Sequence, residues 1–324
     1  SGTTMLNRVL GNHRQILALN ELHYFGDLWS PGSKVSPLND AELKTLAAHL
    51  LARQKHGIWR GTPTETERQQ ATDIVAQLDD GQKNGRDLFA AVVDWIAKKH
   101  RKTIVTEQTP RNIFYASHLL DHYPDAFVIQ LVRDPRAVLA SQKGRWRRKW
   151  LGGANTPWSE IIRVWANYHP ITMSKLWKKS VEAGLCLASH PHFMSLRFED
   201  LVSDPQSHIE KICTFLDVEY QPGMDHVPQV GSSSRHNVDD KRGISTDVLQ
   251  AWRNGLTPGE VAFCEGITKV MMARYGYQPT TNHMPLLSAA AISALYPLHL
   301  LGVLITNPKR AAIQLRAYLH KNKV

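Results

Sequence analysis

Three groups of residues in this chain could do chemistry. At the N-terminus, Ser1-Gly2-Thr3-Thr4 runs into Met5-Leu6-Asn7-Arg8-Val9-Leu10, a small polar turn that opens an amphipathic helix. Such a turn suits a phosphate. The first-turn N–H groups have no intrahelical acceptors, the helix dipole favours negative charge, and two hydroxyls add donors. Gly2 lets an anion come close to the backbone. The second group is Arg133 with Ser141, eight residues on. An arginine fork and a hydroxyl converging at the carboxyl end of a strand could grip a second, separate phosphate. The third is Glu21 with His23, beside Tyr24 and Phe25. Histidine is the commonest general base, which makes His23 a candidate for proton transfer.

The elements that must position these groups follow from the hydrophobic pattern. Met5, Leu6, Val9 and Leu10 give one apolar face to a helix over Thr3–Asn12. The apolar stretch Ile16–Leu19 leads into Asn20-Glu21-Leu22-His23-Tyr24-Phe25, and residues 29–40 read as loop. Helices are expected near 41–54, 64–79, 84–100, 116–122, 157–182, 205–216, 246–254 and 257–275. Strands are expected at Thr103–Thr106, Phe127–Val132 and His192–Arg197. Phe127–Val132 is the strongest of these, and Asp134 and Pro135 after it read as N-cap and first residue of a helix. Short strands alternating with helices predict an α/β layered fold with a central parallel sheet and helices on both faces.

The totals set wider bounds. With 324 residues, 42% hydrophobic and 21% charged, the chain can bury a sizeable core. A net charge of +10 suits an acidic ligand or an anionic surface. No reader motif for nucleic acid accompanies it, so nucleic acid is not an expected partner. Cys186, Cys213 and Cys264 lie far apart without metal-ligand spacing, which fits a reducing, cytoplasmic compartment better than a disulfide framework.

Taken together the motifs resemble those of sulfotransferases that use 3′-phosphoadenosine 5′-phosphosulfate (PAPS), in the style of the heparan-sulfate and tyrosylprotein branch and its bacterial relatives. Ser1-Gly2-Thr3-Thr4 resembles the family's 5′-phosphosulfate loop, and Arg133-Asp134-Pro135-Arg136-Ala137-Val138-Leu139-Ala140-Ser141 its 3′-phosphate motif. Asn20 to Phe25 is similar to the catalytic-base segment. Ser195 to Leu201, ahead of a helix ending in Phe215-Leu216, is similar to a further family stretch. The resemblance implies a P-loop-like three-layer fold over residues 1–282, with a first strand before Ser1. It implies that Ser1, Gly2, Thr3 and Thr4 hold the 5′-phosphosulfate and that Arg133 and Ser141 hold the 3′-phosphate. Lys241-Arg242-Gly243 is similar to a late 3′-phosphate loop. Glu21 is implied as the base that takes the acceptor's proton, with His23 as its rival. The donor becomes 3′-phosphoadenosine 5′-phosphate, and no metal is implied. Gln108 stands where the family commonly has lysine before Thr109-Pro110.

Two regions fall outside that scheme. Lys143-Gly144-Arg145-Trp146-Arg147-Arg148-Lys149-Trp150 is basic with interleaved tryptophans, either a solvated helix end or a cradle for an acidic partner or membrane. Residues 283–324 form an apolar, then basic appendage. Pro285–Thr306 has no charged residue, and Lys309, Arg310, Arg316, Lys321 and Lys323 follow. That pattern suits a membrane surface, a buried extension or a span, and makes a peripheral membrane location an expectation. Two other classes of function stay open at this point. A P-loop kinase would need the Gly-Lys-Ser/Thr of a Walker motif, which the phosphate turn lacks. A non-catalytic nucleotide- or membrane-binding protein of the same fold would keep the phosphate groups without turnover.

Overall fold

The computed structural model describes residues 2–29, 37–58, 62–146, 157–228, 242–281 and 285–307. The chain opens with helix α1 (Thr3–Gly11) and strand β1 (Ile16–Ala18), followed by helices α2 (Asp40–His56), α3 (Glu65–Val75) and α4 (Gly85–Lys99). Strand β2 (Ile104–Thr106), helix α5 (Ala116–His122), strand β3 (Val128–Val132) and helix α6 (Pro135–Lys143) come next. Helices α7 (Trp158–Ala166) and α8 (Pro170–Leu185) lead to strand β4 (Phe193–Arg197). Helices α9 (Phe198–Ser203), α10 (Pro205–Phe215), α11 (Pro258–Arg274) and α12 (Leu286–Thr306) complete the order.

Most expected elements form, with ends set by local chemistry. Asn39 caps α2 by accepting the Glu42 N–H at 2.9 Å while Glu42 accepts the Asn39 N–H at 3.0 Å, a reciprocal capping box. Asp134 caps α6 by accepting the Arg136 N–H at 2.9 Å, with Pro135 at the first helical position. The single helix expected over 157–182 is instead two, α7 and α8. Pro170 supplies no N–H for the preceding turn and begins a new helix. The stretch 246–254 forms two short 3₁₀ turns, Thr246–Val248 and Ala251–Asn254, instead of one helix.

Internal contacts divide the chain into two units. The first comprises Ser1–Val132, Ala183–Gln229 and Asp239–Ser245; the second comprises Arg133–Glu182, Val230–Val238 and Thr246–Val324. All four strands belong to the first unit. They pair as two parallel ribbons, β1 with β2 (Ile16 opposite Ile104, Ala18 opposite Thr106) and β3 with β4 (Val128 opposite Phe193, Val132 opposite Arg197). The parallel sheet expected from the sequence is therefore present as two two-stranded pieces among the described residues. Both pairs are joined by long connections containing helices, as parallel pairing requires.

Helix α1 ties these pieces together. Leu6, Val9 and Leu10 share a core with Ile16, Leu201, Ile209 and Ile212, and with Ile104, Ile129, Leu131, Met194 and Leu196 from the other strands. Buried Asn7 fixes its roll, donating to the Leu19 carbonyl at 2.9 Å and accepting from Thr106 Oγ1 at 2.6 Å. A second core packs Leu22, Tyr24 and Phe25 against α2, α3 and α4.

Candidate active site

The helix expected after Gly2 forms from Thr3 onward. Gly2 precedes α1 at φ 91°, a left-handed conformation that side chains resist. A Cβ there would lie 2.4 Å from the Phe198 ring and 3.2 Å from Leu131 Cδ2, so glycine is required on two counts. No side chain caps the helix, and Thr4 is exposed. The first-turn N–H groups of α1 thus have no side-chain cap, the arrangement a helix start offers to an anion. Ser1 lies outside the described residues.

The Glu21 segment leaves the carboxyl end of β1, which places it where open α/β sheets put their ligands. Glu21 and His23 are partners in the structure: His23 Nε2 lies 3.0 Å from Glu21 Oε2, with the carboxylate about one-third exposed. His23 sits at φ 47°, uncommon for a residue with a side chain, and its surroundings impose it. Its N–H donates to Thr109 Oγ1 at 3.0 Å. Arg53 of α2 donates through Nη1 to the carbonyls of Leu22 and His23 at 2.8 and 2.9 Å, and through Nη2 to Asp27 Oδ2 at 2.9 Å. Tyr24 and Phe25 turn into the core with Trp29 and Phe89, and Tyr24 OH donates to the Gly85 carbonyl at 2.6 Å. They anchor the segment, whereas the Glu21 carboxylate itself is paired with His23.

Beneath this segment lies a residue that motif reading did not single out. Glu107 follows β2 and collects four donors. Oε1 accepts the Leu22 N–H at 2.8 Å and the Thr109 hydroxyl; Oε2 accepts the Thr109 N–H at 3.1 Å and the Asn112 side-chain amide. Burial raises its pKa above the ordinary carboxylate range, with the Thr109 and Leu22 donors and nearby His23 pulling the other way. The available signal was position: Glu107 follows β2 as Glu21 follows β1, and the two strands pair.

In the second unit, Arg133 directly follows β3 in the chain and is buried, its carbonyl accepting Trp177 Nε1–H at 2.9 Å. Ser141 lies two turns along α6, half-buried. Asp134 is engaged by Arg136, whose Nε and Nη2 reach its carboxylate at 2.9 and 2.6 Å. Arg136 Nη1 also pairs with Glu265 Oε1 at 2.7 Å, and its guanidinium lies over Trp252 at 4.4 Å. Burial opposes that charge, but the two carboxylates prevail and raise the arginine's pKa. The start of α6, and with it the Arg133 backbone, is thereby fixed. Lys143, at the far end of α6, pairs with Glu260 at 2.7 Å. Arg242 is exposed in the first unit, where it forms an isolated backbone bridge with Pro228; Lys241 and the Ser232–Arg235 loop lie outside the described residues.

The turn, the Glu21 segment and the Arg133–Ser141 block fall within one family match. Residues 1–222 match the model of the sulfotransferase family. The chain belongs to the sulfotransferase family. It is 28% identical to carbohydrate sulfotransferase 1 of Mus musculus over 177 residues, which cover 50% of this chain and 41% of that protein. It is 28% identical to the 3-beta-hydroxysteroid sulfotransferase of Cavia porcellus over 135 residues, covering 40% of this chain and 46% of that one. The chain thus spans less than half the length of these curated relatives. Among solved structures it resembles the sulfotransferase domain from the curacin biosynthetic pathway, with a TM-score of 0.52 and 18% identity, covering 86% of this chain and 95% of that one. That likeness establishes a sulfotransferase fold, P-loop-like and with parallel pairing, as the sequence predicts.

Proposed function

We propose that this sulfotransferase moves a sulfuryl group from PAPS to the hydroxyl of a carbohydrate, lipid or small metabolite. The observation that carries the reading is the Glu21–His23 pair, held from below by Glu107 and from the side by Arg53, in the same unit as the uncapped start of α1. Family membership favours sulfuryl transfer over the kinase alternative.

The residues present suit the donor. No side chain caps the start of α1, and the N–H groups of Thr3 and Thr4 would hold the 5′-phosphosulfate together with Ser1. Arg133 and Ser141 would hold the 3′-phosphate, with Lys241 and Arg242 as further contacts. When bound, PAPS supplies the sulfuryl group and a phosphate leaving group. Glu21 receives the proton of the acceptor hydroxyl as its oxygen becomes the nucleophile. His23, with its Nε2 3.0 Å from Glu21 Oε2, orients the carboxylate for that task. Helix dipole and first-turn N–H groups stabilise negative charge as it builds on the departing phosphate.

The partners of this reading are a hydroxyl-bearing acceptor and, through residues 283–324, a membrane surface. The location it proposes is cytoplasmic and peripheral, supported by three free cysteines. Calorimetric titration with 3′-phosphoadenosine 5′-phosphate and labelled-sulfate transfer to candidate acceptors test it. Glu21→Gln is expected to lower transfer by about 100-fold or more with nucleotide affinity unchanged, as loss of a general base does. His23→Ala is expected to cost less, about tenfold. The reverse order makes His23 the base. Nucleotide binding without transfer to any acceptor favours the non-catalytic binder, and no nucleotide binding removes the proposal.

A further inference from the structure

Helix α12 is inside out for a surface helix. Its 21 residues carry no charge, and among the described residues it is the helix long and apolar enough to cross a bilayer. A soluble amphipathic helix buries its apolar stripe and offers the polar one to water. In α12 the polar side chains of Ser288, Tyr296, His299 and Thr306 are half-buried, while Ser293 is exposed. The Ile292 carbonyl lies 3.2 Å from His169 Nε2, and His299 Nε2 lies 2.9 Å from Thr172 Oγ1. The His169 ring packs on His299 and Tyr296 with centroids 4.8 and 5.0 Å away. Just past the helix, Asn307 accepts from Arg163 Nη1 at 3.2 Å and donates to Asn167 Oδ1 at 2.9 Å. Near its start, Ser288 packs so closely on α11 that a Cβ at Gly259 would lie 2.4 Å from Ser288 Oγ. Ser288, Ile292, Tyr296, His299 and Asn307 recur near helical spacing and make one inward stripe. The leucines take the other side: Leu287 is 91% exposed, Leu298 65% and Ile305 69%.

The neighbouring helix repeats the pattern. Trp158, Ile162 and Trp165 of α7 are spaced i, i+4, i+7 and are 61%, 57% and 66% exposed. Helix α7 packs on α12, and Arg163 of α7 joins it to Asn307. Charge flanks both helices in the sequence. Four basic residues, Arg145, Arg147, Arg148 and Lys149, precede α7 without an acidic one among them. Five more, Lys309, Arg310, Arg316, Lys321 and Lys323, follow α12, and the chain has no Asp or Glu after Glu265.

We propose that α7 and α12 together form a docking face for an anionic lipid bilayer, on which the chain lies without crossing it. Contacts from Ser288 to Asn307 hold α12 lengthwise against α7, α8 and α11, and a spanning helix would have to give them up. Exposed tryptophans suit the headgroup boundary, where the ring is buried and the indole N–H stays wet. Apolar side chains of such a face enter the bilayer by about 5–10 Å. The chain's net charge of +10, with no Asp or Glu after Glu265, favours this occupant over a second copy of the chain, because two like-charged copies repel while anionic lipid attracts.

The test measures lipid binding alone, so its outcome is separate from that of the sulfotransfer reading. Full-length protein is floated with phosphatidylcholine vesicles and with vesicles containing about 30% phosphatidylglycerol. Flotation with the anionic vesicles is expected, falling about tenfold without the anionic lipid or at high salt. The double variant Trp158→Ser/Trp165→Ser is expected to bind about tenfold more weakly or worse. Trp158→Phe/Trp165→Phe, which keeps the apolar face, is expected to float but to lose tryptophan quenching by lipids brominated on their chains. Three results overturn the proposal: no flotation with either vesicle, equal flotation of wild type and the serine variant, or a dimer abolished by the serine variant in a protein that does not float.

Discussion

Replacing Glu107 by glutamine tests whether a buried carboxylate sets the geometry of the Glu21–His23 pair. All four groups aimed at Glu107 are donors: the N–H of Leu22, the N–H and hydroxyl of Thr109, and the amide of Asn112. Each carboxylate oxygen receives two of them. A glutamine must turn its NH₂ toward one such pair in either orientation, so two hydrogen bonds to a charged acceptor are lost. Each is worth about 1.5–3 kcal/mol. The neutral amide also escapes the desolvation that raises the pKa of Glu107, which sets the net cost at the lower end, about 3 kcal/mol. That corresponds to a fall of about 6 °C or more in Tm. Local loosening would also shift Glu21, and a misplacement of about 1 Å can cost about 100-fold in rate. The assay pairs thermal unfolding with labelled-sulfate transfer for Glu107→Gln and Glu107→Leu. Leucine accepts nothing and should be the worse of the two. A glutamine variant within about 1 °C of wild type with near-normal transfer, or a leucine variant no worse than glutamine, would refute the reasoning.

Gly2→Ala combines a left-handed backbone penalty of about 1–2 kcal/mol with a Cβ driven against Phe198. It is expected to weaken 3′-phosphoadenosine 5′-phosphate binding by more than about tenfold in calorimetry, and unchanged affinity would detach the turn from the nucleotide. Glu67 is buried and accepts Thr64 N–H at 2.7 Å, with Lys55 Nζ at 3.3 Å. These contacts hold its pKa down at about 2, the Thr64 hydroxyl contributing most. A depressed carboxyl pKa adds stability above the unfolded value of about 4.5, here about 3 kcal/mol, that is lost as pH falls toward 2. Urea unfolding of wild type and Glu67→Gln should therefore converge between pH 4.5 and 2. A gap that persists at the acid end would mean that Glu67 acts by packing.

Much of the molecule was legible in its residues because the signals were local. Turn chemistry at Gly2, the Asp134-Pro135 helix start, and the apolar runs of β3 and β4 depend on neighbours close in sequence, and each stands within a residue or so of its expected place. The single helix expected over 157–182 misled because its apolar pattern runs through Pro170, and the missing N–H outweighs periodicity there. The relation of Glu21 to His23 was harder. Residue types offered two rival bases, whereas the left-handed backbone at His23 turns them into a hydrogen-bonded pair. That backbone is imposed by Arg53, Thr109 and Glu107, which lie 30 to 86 residues away in the chain.

What the sequence determined by itself was the family, the α/β class, and the residue types at the phosphate turn, the Arg133–Ser141 block and the Glu21 segment. Short-range spacing carries these, because capping, turn formation and strand propensity are settled within a few residues. The tertiary structure alone decided which groups meet. Glu107 gained a role because β1 and β2 pair in a register that sets their carboxyl ends side by side. Gly2 became obligatory because Phe198 arrives from the far end of β4. The apolar stretch 286–306 proved to be a helix with its polar stripe turned inward, a property no composition reveals. Burial and long-range contact depend on the packing of the whole unit, and a linear pattern records only what each residue could do once placed.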